Sequence, residues 1–385
     1  MDIFFGIFVG VLCGTITGLT PGIHTNLIVA ILTTTLLGIM PSAMFFVSVT
    51  VTMAMIHTYL SAIPNVYLGA GEGSDLLNVL PAHRLLHEGR GREAVHCTLW
   101  GGGIAALIGT MFFTFFLFLT KHVYIWIEDA IPALLAVTAL AIALRRNQLR
   151  SLLILCVSGA VGYLVLESVT KNPLFPLLSG FFGIAILLTD DSDTIPPQRT
   201  PEGLDESLLF DGVKGTLLGT LTAFLPGLGS GIATTIGSLG RESKPRLFLV
   251  MSGAVDTANF FLGLAALISI DKARNGAVVG IQEVVTSLNG PVLVGLGVVS
   301  GGVGILLTLF YTEIFEKAIA HISYNIVKNT VIVTIVLGAY ILSGLHGLII
   351  LGVTTLIGWY CNRYNVPRTV MMGCILLPVM VYLWL

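Results

Sequence analysis

A proline–glycine pair breaks an apolar segment twice in this chain, and the two breaks sit in related surroundings. GTITGLTPGIHTN at residues 14–26 recurs as GTLTAFLPGLGSG at 219–231. At a constant offset of 205, Gly14, Thr15, Thr17, Pro21 and Gly22 match Gly219, Thr220, Thr222, Pro226 and Gly227. Proline brings no backbone N–H, and glycine adopts dihedrals that a helix forbids, so the conserved core of this duplication is a helix breaker. The surroundings are lipid-like. Hydrophobic residues make up 55% of the chain, charged residues 10%, and the mean hydropathy is +0.93. Soluble domains carry about a quarter charged residues. The composition therefore predicts a multi-pass membrane protein with broken segments at membrane depth.

Runs of about 20 apolar residues span a bilayer. That rule predicts a broken segment over 3–40, spans near 43–70, 94–119, 123–144, 150–168 and 173–189, and a polar loop over 71–93. The start MDIFFGIFVG has no basic region and no small-residue cleavage site, so it reads as the first membrane segment and not as a removable signal. Residues 190–210, rich in acid and proline, read as a cytoplasmic linker between a first membrane repeat (1–189) and a second (211–385). The second repeat continues with a broken segment at 211–240, spans at 247–270 and 291–311, two short apolar runs around SGLHG within 329–361, and a last run at 367–385. Cys13, Cys97, Cys156, Cys361 and Cys374 lack metal or redox spacing and read as small packing residues. No basic tract points to nucleic acid.

Unwound backbone inside a membrane persists only where it is buried in protein or lines a wet cavity. Each broken segment is therefore expected to be a re-entrant helical hairpin whose tip faces a polar site. Charge placement tests this, because Lys and Arg accumulate on the cytoplasmic side. With two hairpins separated by five full spans, Lys121, Lys171, Lys272 and Arg274 fall on one face, and the other fifteen of the 19 Lys and Arg fall on the opposite face with residues 71–93. The expected fold is thus all-α, with two inverted-topology repeats whose hairpins enter from opposite faces.

Inverted repeats with broken helices are the architecture of secondary transporters. Free amides at a helix start attract anions, so the segments after the breaks are candidate substrate-binding elements. They comprise Pro21, Gly22, His24, Thr25 and Asn26 in one copy and Pro226, Gly227, Gly229, Ser230 and Gly231 in the other. The same groups offer carbonyls to a sodium ion, and His24 titrates near neutrality. Polar residues within spans are costly unless they pair or work. Asp256, Thr257 and Asn259, with His57 and Asn65 at comparable places in the first half, are therefore candidates for proton or sodium coupling. Interhelical hydrogen bonding is the competing explanation for each. No organic cofactor is expected.

At these residues the chain resembles the large membrane subunit of the tripartite tricarboxylate transporters. The resemblance rests on GLTPGIHTNL and AFLPGLGSGIATTIGSLG, on LLNVLPAHRLLHEGRGREAVHCTLWGGGIAALIG at 76–109, and on SGAVDTANFFLG at 252–263. It implies a permease for di- and tricarboxylates, coupled to a cation and partnered by a small membrane subunit and an extracytoplasmic binding protein. Two family elements are altered: Asn65-Val66-Tyr67-Leu68-Gly69 stands where the family has Asn-x-Pro-Gly, and Leu267-Ile268-Ser269-Ile270-Asp271 where it has Gly-x-Pro-Gly-Ser. The scaffold is therefore inherited more safely than the substrate. Two functions follow from the residues: a transporter in the cell membrane for a small organic anion, or a translocase for a lipid-linked phosphate such as polyprenyl phosphate. An enzyme is not expected, because HEGRG at 87–91 lacks a second histidine and no nucleophile elbow occurs.

Overall fold

A computed structural model describes residues 1–20, 25, 28–29, 32–33, 41–69, 79–144, 147–189, 196–201, 203, 206–222, 230–238, 244–273, 275–285, 289–319, 321 and 324–384. Among the described residues the regular structure is helical throughout. The first half holds α1 (Asp2–Leu19), α2 (Ala43–Leu60), α3 (Ala62–Tyr67), α4 (Val79–His87), α5 (Gly91–Met111), α6 (Phe113–Ile127), α7 (Ile131–Ala143), α8 (Gln148–Leu166) and α9 (Leu174–Leu187). The second holds α10 (Glu206–Thr222), α11 (Ser230–Gly237), α12 (Pro245–Ile270), α13 (Gly276–Val284), α14 (Gly290–Ile319), α15 (Tyr324–Arg363) and α16 (Gly373–Trp384). Eight described segments are long and apolar enough to cross a membrane, with α2–α3 and α6–α7 each counting as one. The chain is a multi-pass membrane protein.

The expected boundaries shift where local chemistry intervenes. The chain bends at Phe112, not within 119–123, so α5 ends earlier and the α6–α7 segment is longer than hydropathy suggests. Helix α10 starts at Glu206, inside the stretch expected to be linker. The 71–93 loop contains the helix α4, whose Leu85 and Leu86 are buried. Around SGLHG the two apolar runs of α15 join at Gly344, whose φ of 65° and ψ of −157° lie where only glycine sits without strain.

Glycine sets the packing of the first helices. Gly6, Gly10, Gly14 and Gly18 recur every fourth residue on α1, and a Cβ at each would come within 2.6–2.7 Å of the Cβ of Ser48, Thr52, Ile56 and Leu60 on α2. Phe4, Phe8, Leu12 and Ile16 cover the opposite face and are exposed, as a lipid-facing side requires. Both partners advance together, so α1 and α2 run in the same direction. Their starts are tied by Ser42, whose hydroxyl donates to Asp2 at 2.7 Å. The second half repeats this: Gly215 and Gly219 of α10 meet Ala254 and Ala258 of α12, again in parallel, and Arg246 at the start of α12 donates to the Gly203 carbonyl at 3.0 Å. Between these two helices, α11 returns along α10. Gly237 packs on Leu218, and the Lys214 ammonium donates to the Gly237 carbonyl.

The halves then exchange helices. Helix α2 packs along α14, where Ser300 donates to Thr52 at 2.9 Å, and α12 packs along α5, where Gly101 meets Val250 and Gly253 meets Thr98. The short helices follow the same rule, α13 lying on α2 and α4 on α12. Each long pair is parallel. Helices α5 and α14 are antiparallel to each other, since Arg92 at the start of one pairs with Glu316 near the end of the other at 2.7 Å. The α1–α2 pair therefore runs opposite to the α10–α12 pair.

Candidate functional site

Where the exchanged helices meet, polar residues from both halves surround one small cavity. Helix α2 ends at Leu60 and α3 begins at Ala62, a break at which Pro64 brings no N–H. Thr58, Ser61 and Asn65 flank that break and line the cavity. Thr98 of α5 and Asp256 of α12 complete its polar wall, and Ala82 of α4 closes one side. Asn65 and Ser61 are buried, and Asp256, Thr58 and Thr98 are partly so. Each hydroxyl hydrogen is already committed along its own helix: Thr58 donates to the Ala54 carbonyl at 2.9 Å, Ser61 to Thr58 at 3.2 Å and Thr98 to Ala94 at 3.3 Å.

Of the residues singled out in the sequence, Asn65 and Asp256 are brought together here. Thr257 is not; it turns away to the core, where a Cβ on Gly102 would lie 2.9 Å from its hydroxyl and 2.6 Å from the Tyr59 ring. Asn259 is half-buried on α12, and His57 is buried on α2, where its backbone abuts Gly18 of α1. Thr25, Ser230 and Gly231 are helical and buried. Pro21, Gly22, His24, Asn26, Pro226, Gly227 and Gly229 lie outside the described residues. Thr58, Ser61 and Thr98 carry no sequence signal, because hydroxyls bonded to their own helix are common in apolar segments.

Charges gather at the two ends of the bundle. At one end Glu93, 3% exposed, holds Arg90 and Arg246 at 2.8 Å each, joining the first half to the second. Nearby, residues 198 and 199 are pinned to the turn before α5: Gln198 accepts from the Gly91 N–H at 2.6 Å, and the Arg199 N–H donates to the Gly89 carbonyl at 2.7 Å. At the other end Lys272 bonds Glu128 and the Tyr124 hydroxyl, and its ammonium lies 4.5 Å from the Tyr124 ring centre. The Glu128 and Tyr124 bonds hold Lys272 above the ordinary lysine range. These contacts group arginines and lysines as the charge count expects: Arg90, Arg92 and Arg246 at one end, Lys272 at the other.

The chain is 24% identical over 391 residues to an uncharacterized protein, MJ1079, of Methanocaldococcus jannaschii, with 98% of each chain covered. No solved structure matches. Residues 4–373 match the tripartite tricarboxylate transporter TctA family, a span that takes in both proline–glycine breaks, the exchanged helices and the polar cavity. This chain belongs to the tripartite tricarboxylate transporter TctA family and is a membrane component of a transport system.

Proposed function

We propose that the chain is the permease subunit of a secondary transporter in the cell membrane, moving a small organic anion, a carboxylate, by cation- or proton-coupled alternating access. Its two membrane repeats (1–189 and 211–385), joined by a cytoplasmic linker (190–210), are inverted copies, each opening with a re-entrant hairpin at its proline–glycine pair. The observation that carries this reading is the exchange of helices. Tyr59 of α2 packs on Gly102 and Gly304, and Phe261 of α12 packs on Gly297 and Gly109, so each aromatic touches one glycine of α5 and one of α14. An inverted repeat around a shared midplane generates such a pattern. The Asp2–Ser42 bond and the return of Gly237 to Lys214 support hairpins that leave by the face they enter.

The anion is assigned to the hairpin tips, with Pro21, Gly22, His24, Thr25 and Asn26 facing Pro226, Gly227, Gly229, Ser230 and Gly231 across the centre. Buried Ser230, the first residue of α11, supports it, since a hydroxyl at a helix start suits carboxylate oxygens. Asp256, Thr257, Asn259, His57 and Asn65 are assigned to coupling and to the bundle around it. A small membrane subunit and an extracytoplasmic binding protein are the proposed partners, in keeping with a tripartite family. The lipid-linked phosphate reading draws no support from that family.

The test is thermal stabilisation of the purified chain by a panel of di- and tricarboxylates, amino acids and polyprenyl phosphate. Binding at 100 times the dissociation constant adds about 2.7 kcal/mol. Stabilisation by carboxylates alone is expected; stabilisation by polyprenyl phosphate alone would replace this reading with the translocase.

A further inference from the structure

We infer that the junction of α8, α15 and the short helical turn Arg368–Met372 binds the phosphodiester headgroup of an anionic membrane lipid, with Arg368 as the inner anchor and Arg150 and Arg363 as outer cations. The junction packs on a different apolar core from the one that walls the polar cavity. The site goes beyond the permease reading and does not depend on it.

Arg368 is what calls for an anion. Its Nε donates to the side-chain oxygen of Asn362, and Asn362 is fixed in turn by donating to the Ala185 carbonyl at 2.8 Å and to the Thr189 hydroxyl at 3.2 Å. The rest of the fork is unmatched. Nη1 is closed off from solvent with no hydrogen-bond partner, and among the described residues no carboxylate pairs with Arg368. A guanidinium carries five donors in a rigid plane and does not shed its charge, so holding it out of water without an acceptor is costly. A phosphate oxygen set against the fork removes that cost.

Two more arginines reach the same junction. The Asn147 amide donates to the Asn365 carbonyl at 3.0 Å, tying the turn before α8 to the turn after α15. Both asparagines are left-handed, at φ of 50° and 54°, a conformation that their short side chains tolerate. Arg150 thereby lies over the Tyr364 ring, 5.7 Å from its centre, and Arg363 is exposed beside it. Arg150 sits in the first turn of α8, where the helix dipole disfavours a cation, so helix stability does not account for it. Residues 144–150 and 361–369 together hold five arginines and no acid. Elsewhere on the arginine-rich face the pattern differs: Arg90 and Arg246 share Glu93, and Arg92 holds Glu316.

The flanks decide between a lipid and a soluble anion. Leu149 and Leu153 on α8, and Val353 and Leu356 on α15, are exposed, so apolar strips lead away from the arginines along both helices. Trp359 is exposed too, and Tyr360 and Tyr364 lie with ring centres 4.5 Å apart. Tryptophan and tyrosine gather at headgroup level, which sets the arginines at the height of lipid phosphates. Acyl chains fit the strips while the phosphate meets the fork, as in basic pockets between membrane helices. A zwitterionic lipid would bring its own cation against three arginines.

The experiment is thermal unfolding of the purified full-length chain in phosphatidylcholine nanodiscs with rising phosphatidylglycerol, beside inorganic phosphate added to pure phosphatidylcholine discs. Phosphatidylglycerol should raise the melting temperature saturably, and inorganic phosphate should not. Arg368→Gln, and Arg150→Gln combined with Arg363→Gln, should each weaken the phosphatidylglycerol response about tenfold. In pure phosphatidylcholine, where the charge is unmatched, Arg368→Gln should not lower the melting temperature. Arg84→Gln combined with Lys317→Gln removes two cations elsewhere on that face and should leave the response intact. If Arg368→Gln fails to fold, the Arg150 and Arg363 pair of substitutions decides alone. No phosphatidylglycerol shift, an equal shift with inorganic phosphate, an unaltered response in the site variants, or an equal loss in the Arg84 and Lys317 variant would overturn the site. Equal destabilisation by Arg368→Gln in both lipids would also overturn it, because the charge would then be matched within the chain. None of these outcomes bears on the carboxylate panel, so the two readings fail separately.

Discussion

Tyr59 and Phe261 hold corresponding places in the two halves, each ring lying between a glycine of α5 and a glycine of α14. Tyr59 takes Gly102 and Gly304, and Phe261 takes Gly109 and Gly297, so going from one ring to the other advances along α5 and retreats along α14. The two halves thus interlock through helices that each lends to the other. A packed core of this kind is bistable, not continuously deformable, which suits alternation between two states.

Glycine faces carry this interlocking, and filling them should cost stability. A Cβ on Gly14 would meet Ile56 at 2.7 Å and the Met53 carbonyl at 2.8 Å; one on Gly219 would meet Ala258 at 2.6 Å and the Val255 carbonyl at 2.9 Å. Gly14→Ala and Gly219→Ala should each destabilise by about 1–3 kcal/mol, the usual cost of overpacking. Gly302→Ala and Gly352→Ala, where nothing lies within 4 Å, should melt with the wild type. Fluorescence-detected thermal unfolding distinguishes the two sets.

Opposite insertion of the two halves predicts labelling from opposite faces. In a background free of the five native cysteines, Ser42→Cys should react with an impermeant maleimide from one side of sealed vesicles and Lys244→Cys from the other. Labelling of both from one side would remove the inverted repeat.

Ion pairs at the two ends should differ in worth. Glu93 is 3% exposed and shared by the half-buried Arg90 and Arg246, so Glu93→Ala removes the carboxylate that accepts from both and should cost about 1.5–3 kcal/mol. Glu88→Ala, which breaks a pair with the solvent-exposed Arg84, should cost about 1 kcal/mol or less. Lys272 is similarly exposed. Its raised pKa means that its small contribution is complete below the ordinary lysine value and is lost only as pH rises through the higher folded value, so the neutral range should show no dependence on it. Melting curves of the variants between pH 6 and 8 check all three statements.

The hairpin tips should matter for transport and not for folding. Ser230→Ala and Asn26→Ala should each lower carboxylate uptake about tenfold while the yield of monodisperse protein is unchanged. Unaltered uptake would take the tips out of the substrate site.

Much of this was legible in the sequence, for reasons that can be named. Membrane segments declare themselves by length, and the duplicated breakers at Pro21-Gly22 and Pro226-Gly227 mark corresponding places without reference to contacts. The grouping of Arg90, Arg92 and Arg246 away from Lys272 followed from counting charges. The exchange of α5 and α14 was not legible, because Gly102, Gly109, Gly297 and Gly304 are scattered among many membrane glycines and their partner is a tertiary matter. The cavity was half legible: Asp256 and Asn65 stood out by the cost of burying them, but Thr58, Ser61 and Thr98 look like ordinary helix hydroxyls until three helices converge. Thr257 looked like its neighbour Asp256, yet the turn of the helix aims it at Tyr59.

The measurement that bears most directly on the account is counterflow. Proteoliposomes of the purified chain, loaded with an unlabelled carboxylate and diluted into a trace of the labelled compound, exchange it with no driving force beyond the outward gradient of the unlabelled compound. Transient accumulation of at least one di- or tricarboxylate, lost in Ser230→Ala, is the predicted result. Absence of accumulation across the whole panel with folded protein in sealed vesicles would contradict it.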